Sequence, residues 1–156
     1  MGSGVIYRTF GAPDAIRTGL ALRRATRKAG VLLLVGADAA LARRIGADGV
    51  HLPQRLARRA GPLRRMRPDW LVTAAAHDVI AIVHARRAGA QAVLVSPAFP
   101  SRSPSAGRPL GVVRFEAMAR SAKLPVIALG GVNVRTATRL RNSAAAGLAA
   151  VEGLAD

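Results

Sequence analysis

Short apolar runs alternate with amphipathic stretches along most of this 156-residue chain. The runs have the length of strands and are rich in alanine, valine and leucine, which is typical of strands buried on both faces of a parallel sheet. The predicted strands cover residues 5–8, 31–35, 49–52, 70–74, 92–96, 126–129 and 148–151. The predicted helices cover residues 14–28, 38–45, 54–66, 78–88, 113–122 and 136–145, and Gly61-Pro62 is expected to break the third of them.

Helical crossovers between the strands predict parallel neighbours and right-handed connections. A TIM (β/α) barrel and a doubly wound sheet both fit this pattern. The first strand is not followed by Gly-x-Gly-x-x-Gly, which argues against an open sheet that binds a dinucleotide. We therefore predict an α/β protein with a single domain over residues 1–156, a TIM barrel in which seven strands are visible and one is unaccounted for.

Composition agrees with this fold class and excludes several others. The chain is 51% hydrophobic but only 3% aromatic, so its core must consist of alanine, valine, leucine and isoleucine. It has no cysteine, which excludes a disulfide framework and thiolate chemistry. No apolar run has the length of a membrane span, and the N-terminus lacks the pattern of a signal peptide. We expect a cytoplasmic protein with no membrane partner.

The formal net charge of +16 suggests nucleic acid as a partner, but its distribution argues against that class. The charge comes almost entirely from arginine and is spread over all the predicted helices. Few aromatic residues interleave with the arginines, although stacking on single strands requires them. This pattern is typical of a solvated outer ring of helices around a barrel.

We expect functional residues where the strands end, because sites in (β/α) barrels form at the C-terminal ends of the strands. Gly130 and Gly131 follow a buried strand directly. Glycines there let the backbone approach a ligand closely, and the N–H groups of the turn can bind phosphate. The other interpretation is a tight turn between strand and helix.

The long irregular stretch at 97–111 is a second candidate, because long connections in compact domains are often functional. Ser101, Arg102 and Ser103 set two hydroxyls around a guanidinium, which suits phosphate oxygens. The other interpretation is a proline-rich loop without a ligand.

Three further residues are predicted to face the mouth of the barrel. His51 ends a strand, His77 lies just after one, and Arg8 ends the first visible strand, where it suits an anionic group. No cluster of histidine, cysteine and acidic residues with the spacing of a metal site is found in the sequence.

Four segments match the sequence pattern of one family in order and spacing. They are Gly-Ala-Asp-Gly-Val-His-Leu within 45–54, the histidine-terminated 73–77, the loop 96–103, and the Gly-Gly turn within 128–132. On these segments the chain resembles the thiamine phosphate synthase family and its thiazole tautomerase relatives over about residues 5–154.

The resemblance implies a (β/α) barrel and a transferase reaction assisted by Mg²⁺. An aminopyrimidine diphosphate is joined to a thiazole phosphate, and pyrophosphate is released. The substrate- and phosphate-binding positions that match the family are Arg8, His51, His77, Ser101, Ser103, Gly130 and Gly131.

The chain departs from the family pattern where the metal binds. Gly36-Ala37-Asp38 stands in place of Asn-Asp-Arg, and Leu56 stands in place of an acidic ligand. The Mg²⁺ that the family implies therefore lacks its matching acidic ligands, and we assign no metal ligand. Other departures are Ile6 for glutamine, Phe10 for lysine, Pro97 for the tautomerase histidine, Pro104 for lysine and Glu152 for serine.

The family barrel begins with a strand that has no counterpart here. Three explanations stay open: the chain is a fragment, its start site is misassigned, or self-association into a homo-oligomer completes the barrel.

Two main functional hypotheses follow. The first is a thiamine phosphate synthase-like transferase in thiamine biosynthesis. The alternative is a non-catalytic or regulatory barrel that binds thiamine phosphate or another phosphate ester and has lost the acids of its metal site. A different phosphate-ester enzyme on the same scaffold is a third hypothesis. All three predict small-molecule phosphate esters as partners.

Overall fold

Strands and helices alternate along the chain as the apolar pattern predicts. The structure is a computed structural model that describes residues 2–101 and 107–151. Its strands are β1 (Gly4–Tyr7), β2 (Leu32–Gly36), β3 (Gly49–Leu52), β4 (Leu71–Ala76), β5 (Ala92–Val95), β6 (Val126–Ala128) and β7 (Gly147–Leu148). Its α-helices are α1 (Ala15–Lys28), α2 (Ala39–Ile45), α3 (Ala60–Met66), α4 (Val79–Arg87), α5 (Gly111–Ser121) and α6 (Val134–Ala137). Two 3₁₀ turns cover Gln54–Arg59 and Thr138–Leu140.

The seven strands lie in one sheet, all parallel, and their order in space is their order in the sequence. A doubly wound sheet reverses its strand order at a switch point. The sequential order therefore excludes that alternative and confirms the barrel-type fold. Within the described residues, β1 and β7 each pair with one neighbour only, so the strands form an open arc, or half-barrel.

The core is built mainly from small aliphatic side chains, as the composition predicts, but three aromatic side chains among the described residues are buried with them. Strand residues such as Leu33, Val50 and Val93 have no exposed surface, and Ala42 and Ala85 on the covering helices are equally buried. Burying each valine or leucine stabilises the fold by about 1.5–3 kcal/mol. Alanine on the helix faces allows close packing against the strands, so the helices cover the outer face of the arc.

Three helices begin at a polar side chain in the connection that follows a strand. The Asp38 carboxylate accepts a hydrogen bond from the Leu41 N–H at 2.8 Å, and the Asp78 carboxylate accepts one from the Ala81 N–H at 2.7 Å. Asn133 caps α6 in the same way. These caps satisfy N–H groups that have no partner inside the helix.

Most of the arginines on the predicted helices are exposed, as expected for a solvated outer ring. They include Arg24, Arg27, Arg43, Arg44, Arg58, Arg59, Arg86 and Arg87. None of the helices in the described part of the chain combines the length and the apolar character that crossing a membrane requires.

The predicted break at Gly61-Pro62 is wrong. A 3₁₀ turn covers Gln54–Arg59, and α3 then runs through both residues to Met66. Pro62 lies in the first turn of α3, where backbone N–H groups have no partner within the helix, so its missing N–H costs little.

The last predicted helix and strand are also wrong in extent. α6 begins at Val134, because the Asn133 side chain accepts from the Thr136 N–H at 3.0 Å while the Thr136 hydroxyl accepts from the Asn133 N–H at 2.9 Å. The helix does not continue to residue 145, since the Ala144 N–H donates to the Glu116 carboxylate at 2.7 Å and not to a helical carbonyl. Strand β7 comprises only Gly147–Leu148.

Candidate phosphate-binding site

The carboxyl ends of the parallel strands meet along one edge of the sheet, which we call the rim. Arg8 directly follows β1, His51 is the third residue of β3, and His77 directly follows β4. The fold thus brings these three predicted residues to the same edge, on strands that are close in the sheet order.

His51 is held by a neighbouring strand. It is in register with Thr73 on β4, and its Nδ1 lies 2.9 Å from the buried Thr73 hydroxyl oxygen. Burial, and secondarily the positive charge of Arg8, lowers the pKa of His51 to about 4. The imidazole is therefore neutral near pH 7 and acts at the rim as a hydrogen-bonding group without charge.

The guanidinium of Arg8 stacks on an aromatic ring. Its central carbon lies 4.5 Å from the centre of the Phe10 ring. Its stem passes Gly36 on β2, where an added Cβ would lie 3.1 Å from the Arg8 Cγ. Gly36 is in register with His51 on β3, and the charge of Arg8 also acts on His51.

His77 is held by hydrogen bonds to Ser96 and Gln54. Its Nδ1 lies 2.7 Å from the carbonyl oxygen of Ser96, and its backbone N–H donates to the side-chain oxygen of Gln54 at 3.1 Å. A carbonyl oxygen only accepts, so Nδ1 carries the hydrogen and donates it. In the neutral ring, Nε2 is then the acceptor. The imidazole is exposed, so a ligand at the rim can reach it.

Gly130 and Gly131 adopt positive φ angles of 88° and 65°. A Cβ at Gly130 would lie 2.8 Å from the Pro97 Cα, and one at Gly131 would collide with the Pro100 carbonyl oxygen. Because these glycines have no side chain, residues 97–101 after β5 can pack directly against the turn. The sequence predicts a close approach of ligand to backbone here, whereas the structure shows a close approach of two backbone segments.

The segment 97–101 is joined to this turn by backbone hydrogen bonds. The Ala98 N–H donates to the Leu129 carbonyl at 2.8 Å, and the Phe99 N–H donates to the Gly130 carbonyl at 3.0 Å. The two segments predicted to bind phosphate are therefore adjacent at the rim, and Ser101 ends the described part of the loop. Arg102 and Ser103, the other two predicted loop residues, lie outside the described residues.

Three contacts at the rim are not predicted from the sequence. Thr73 contacts His51, Gln54 contacts His77, and Phe10 contacts Arg8. Thr73 is a polar residue in an otherwise apolar strand, and this exception to the pattern indicates a polar contact at that position. The contacts of Gln54 and Phe10 depend on loop conformation, so no periodicity in the sequence reveals them.

The carboxylates near the rim do not form a metal site. Asp38 and Asp78 each follow a strand, but both accept hydrogen bonds from helix N–H groups. Among the described residues, no group of three histidine, cysteine or acidic side chains could hold a metal ion. Mg²⁺ is bound in proteins through carboxylates together with substrate phosphates. The described donor set does not fit the Mg²⁺ that the family implies.

The thiamine monophosphate synthase family model matches residues 4–154 of this chain. The chain belongs to this family. The thiamine-phosphate synthase of Chloroflexus aurantiacus is 32% identical over 145 residues, which cover 89% of this chain and 64% of that protein. The thiamine-phosphate synthase of Roseiflexus sp. is 33% identical over 144 residues, covering 92% and 61%. The resemblance inferred from the four sequence segments is thereby confirmed.

A solved structure shares the fold. The thiamine phosphate pyrophosphorylase of Pyrococcus furiosus superposes with a TM-score of 0.82 at 24% identity, covering 96% of this chain and 72% of that one. This similarity supports the barrel-type architecture. The chain spans less than two thirds of the Chloroflexus and Roseiflexus synthases that it matches.

Proposed function

We propose that this chain is a thiamine phosphate synthase-type transferase of thiamine biosynthesis. The bond between the methylene carbon of an aminopyrimidine diphosphate and its bridging oxygen breaks, and the electron pair leaves with pyrophosphate. The nitrogen of a thiazole phosphate then donates its lone pair to the carbocation-like methylene and forms the new carbon–nitrogen bond. The products are thiamine phosphate and pyrophosphate.

The main support for the proposal is that the rim carries both an available cation, Arg8, and an imidazole that is neutral near pH 7, His51. No described residue forms an ion pair with Arg8, so its guanidinium is available to an anion. A cation placed beforehand beside the leaving group stabilises the negative charge that develops as the bond breaks. Because His51 is uncharged, it does not repel the methylene carbocation and can orient the substrate by a hydrogen bond.

The second phosphate group is proposed to bind where residues 97–101 meet the Gly130-Gly131 turn. Support comes from the adjacency of the two segments and from the hydroxyl of Ser101 at the end of the described loop. Arg102 and Ser103 are proposed to contribute to the same site. In this arrangement the two substrates bind on opposite sides of β4, and His77 lies between them with an acceptor nitrogen available.

The described donors do not fit Mg²⁺, so the charge that develops on pyrophosphate is proposed to be stabilised by Arg8. The non-catalytic alternative is not favoured, since the Chloroflexus and Roseiflexus relatives are synthases by name. Small-molecule phosphate esters are the proposed partners, and self-association remains a prediction.

The test is turnover by the purified chain. The aminopyrimidine diphosphate and the thiazole phosphate are incubated with it, once with Mg²⁺ and once with EDTA, and thiamine phosphate is quantified. We expect product above background, and a loss in Arg8→Ala. Arg24→Ala removes a charge from the exposed face of α1 and serves as the matched control. A folded wild-type chain that forms no product under either condition would contradict the proposal.

A further inference from the structure

Phe10 combines two unfavourable features. It is 82% exposed, which forfeits the burial that stabilises most aromatic side chains. Its φ angle of 48° lies in the left-handed region, which is strained for a bulky residue. Such strain at a strand end is typical of functional sites, where the surrounding structure holds a residue in a costly conformation.

The Phe10 ring contacts the guanidinium of Arg8, with 4.5 Å between the central carbon and the ring centre. This distance is within the range of a cation–π interaction, which restricts the plane of the guanidinium without using its N–H donors. Among the described residues, none accepts a hydrogen bond from Arg8. The five donors of the guanidinium are therefore held in place and available to a ligand.

The stem of Arg8 packs closely against Gly36. A Cβ at this position would lie 3.1 Å from the Arg8 Cγ, so a side chain there would require the stem to shift. The φ angle of Gly36 is not positive, so backbone strain is not the reason for glycine here. Both residues that contact Arg8 depart from the family pattern. Gly36 stands where the pattern has asparagine, and Phe10 stands where it has lysine.

We propose that Phe10 and Gly36 are positioning residues that hold the Arg8 guanidinium over the rim, where it binds a diphosphate group directly and without a resident metal ion. The inference deepens the proposed function, since it identifies how the diphosphate of the first substrate is held. A planar guanidinium can bind two phosphate oxygens at once. The Phe10 ring orients the guanidinium, and Gly36 has no side chain that would occupy the space of the Arg8 stem.

The test is isothermal titration of inorganic pyrophosphate into the intact chain in EDTA. We expect the wild type to bind, and Arg8→Ala to bind about tenfold more weakly or worse. Phe10→Ala and Phe10→Leu are expected to weaken binding about two- to fivefold, because both remove the aromatic face. Phe10→Trp restores a face and is expected to restore affinity. Gly36→Asn is expected to approach the loss in Arg8→Ala.

Two variants control for general effects. Met66→Ala removes an exposed apolar side chain at the end of α3, and Arg24→Ala removes an exposed charge; both are expected to bind as the wild type. Melting temperatures measured alongside separate lost binding from lost folding, and Gly36→Ala is the milder substitution if Gly36→Asn does not fold.

The inference is overturned if folded wild-type protein binds pyrophosphate only when Mg²⁺ is added. It is equally overturned if the Phe10 and Gly36 variants bind with wild-type affinity, whatever the turnover. If instead the variants lose affinity as expected while the wild type makes no thiamine phosphate, the inference stands and the proposed function fails.

Discussion

The Nδ1 atom of His51 lies 2.9 Å from the hydroxyl oxygen of Thr73, and the two residues are in register on neighbouring strands. Thr73 is buried, so its hydroxyl has little access to water as an alternative partner. The pair is thus a polar contact inside an otherwise apolar sheet, and it orients the imidazole at the rim.

Removing the Thr73 hydroxyl is expected to destabilise the protein. Thr73→Val keeps the shape of the side chain but leaves the half-buried Nδ1 of His51 without its partner, which lowers the free energy of unfolding by about 1–3 kcal/mol. Thr73→Ser retains the hydroxyl and is expected to lose less. Urea denaturation monitored by the fluorescence of Trp70 measures both; equal losses in the two variants would contradict the assigned role of the hydroxyl.

The pKa of His51 predicts a pH dependence of stability. It is about 4 in the folded state and near 6.5 when unfolded, so the unfolded chain binds more protons between these values. Stability is therefore complete above pH 6.5 and falls as the pH is lowered toward 4, by up to about 3 kcal/mol. His51→Asn removes the titrating group, and its unfolding free energy should fall less over this window. Parallel pH profiles of the two proteins would refute the shifted pKa.

Gly131 and Gly30 form a matched pair for testing the turn. Both have a φ of 65°, but a Cβ at Gly30 meets nothing within 4 Å, whereas one at Gly131 would lie 2.8 Å from the Phe99 Cβ. Gly30→Ala is expected to cost about 1–2 kcal/mol, which is the strain of the left-handed conformation. Gly131→Ala adds a steric clash of about 1–3 kcal/mol and displaces residues 97–101.

Thermal denaturation gives the stability difference between the Gly131 and Gly30 variants, and titration with thiamine phosphate reports the state of the rim. Only Gly131→Ala is expected to weaken ligand binding. If both variants lose the same stability and retain affinity, the position of residues 97–101 does not depend on Gly131.

Asp38 is expected to act as a helix cap and not as a metal ligand. Asp38→Ala should lower the free energy of unfolding by about 1 kcal/mol, because the Leu41 N–H loses its acceptor. Asp38→Ser can still accept this hydrogen bond and should be nearly as stable as the wild type. Any dependence of turnover on Mg²⁺ should be the same in wild type and Asp38→Ser, and a selective loss of Mg²⁺ response in the serine variant would identify Asp38 as a ligand.

Much of the secondary structure could be predicted from local pattern. The apolar run at 31–35 became β2, and the amphipathic stretch at 14–28 became α1 almost residue for residue. The last helix could not be predicted to its true extent, because Glu116 on a different helix accepts the N–H of Ala144. Contacts between distant parts of the chain override local propensity at such places.

The sequence by itself determined most of the strand and helix content, the outward arginines and the family. These properties follow from periodicity and local motifs, since a strand buried on both faces must be apolar along its whole length. Only the tertiary structure decided the strand order, the stacking of Arg8 on Phe10 and the role of Gly131 in admitting a loop. Each of these depends on strand register or loop conformation, which are set by packing across the whole sheet and leave no period in the sequence.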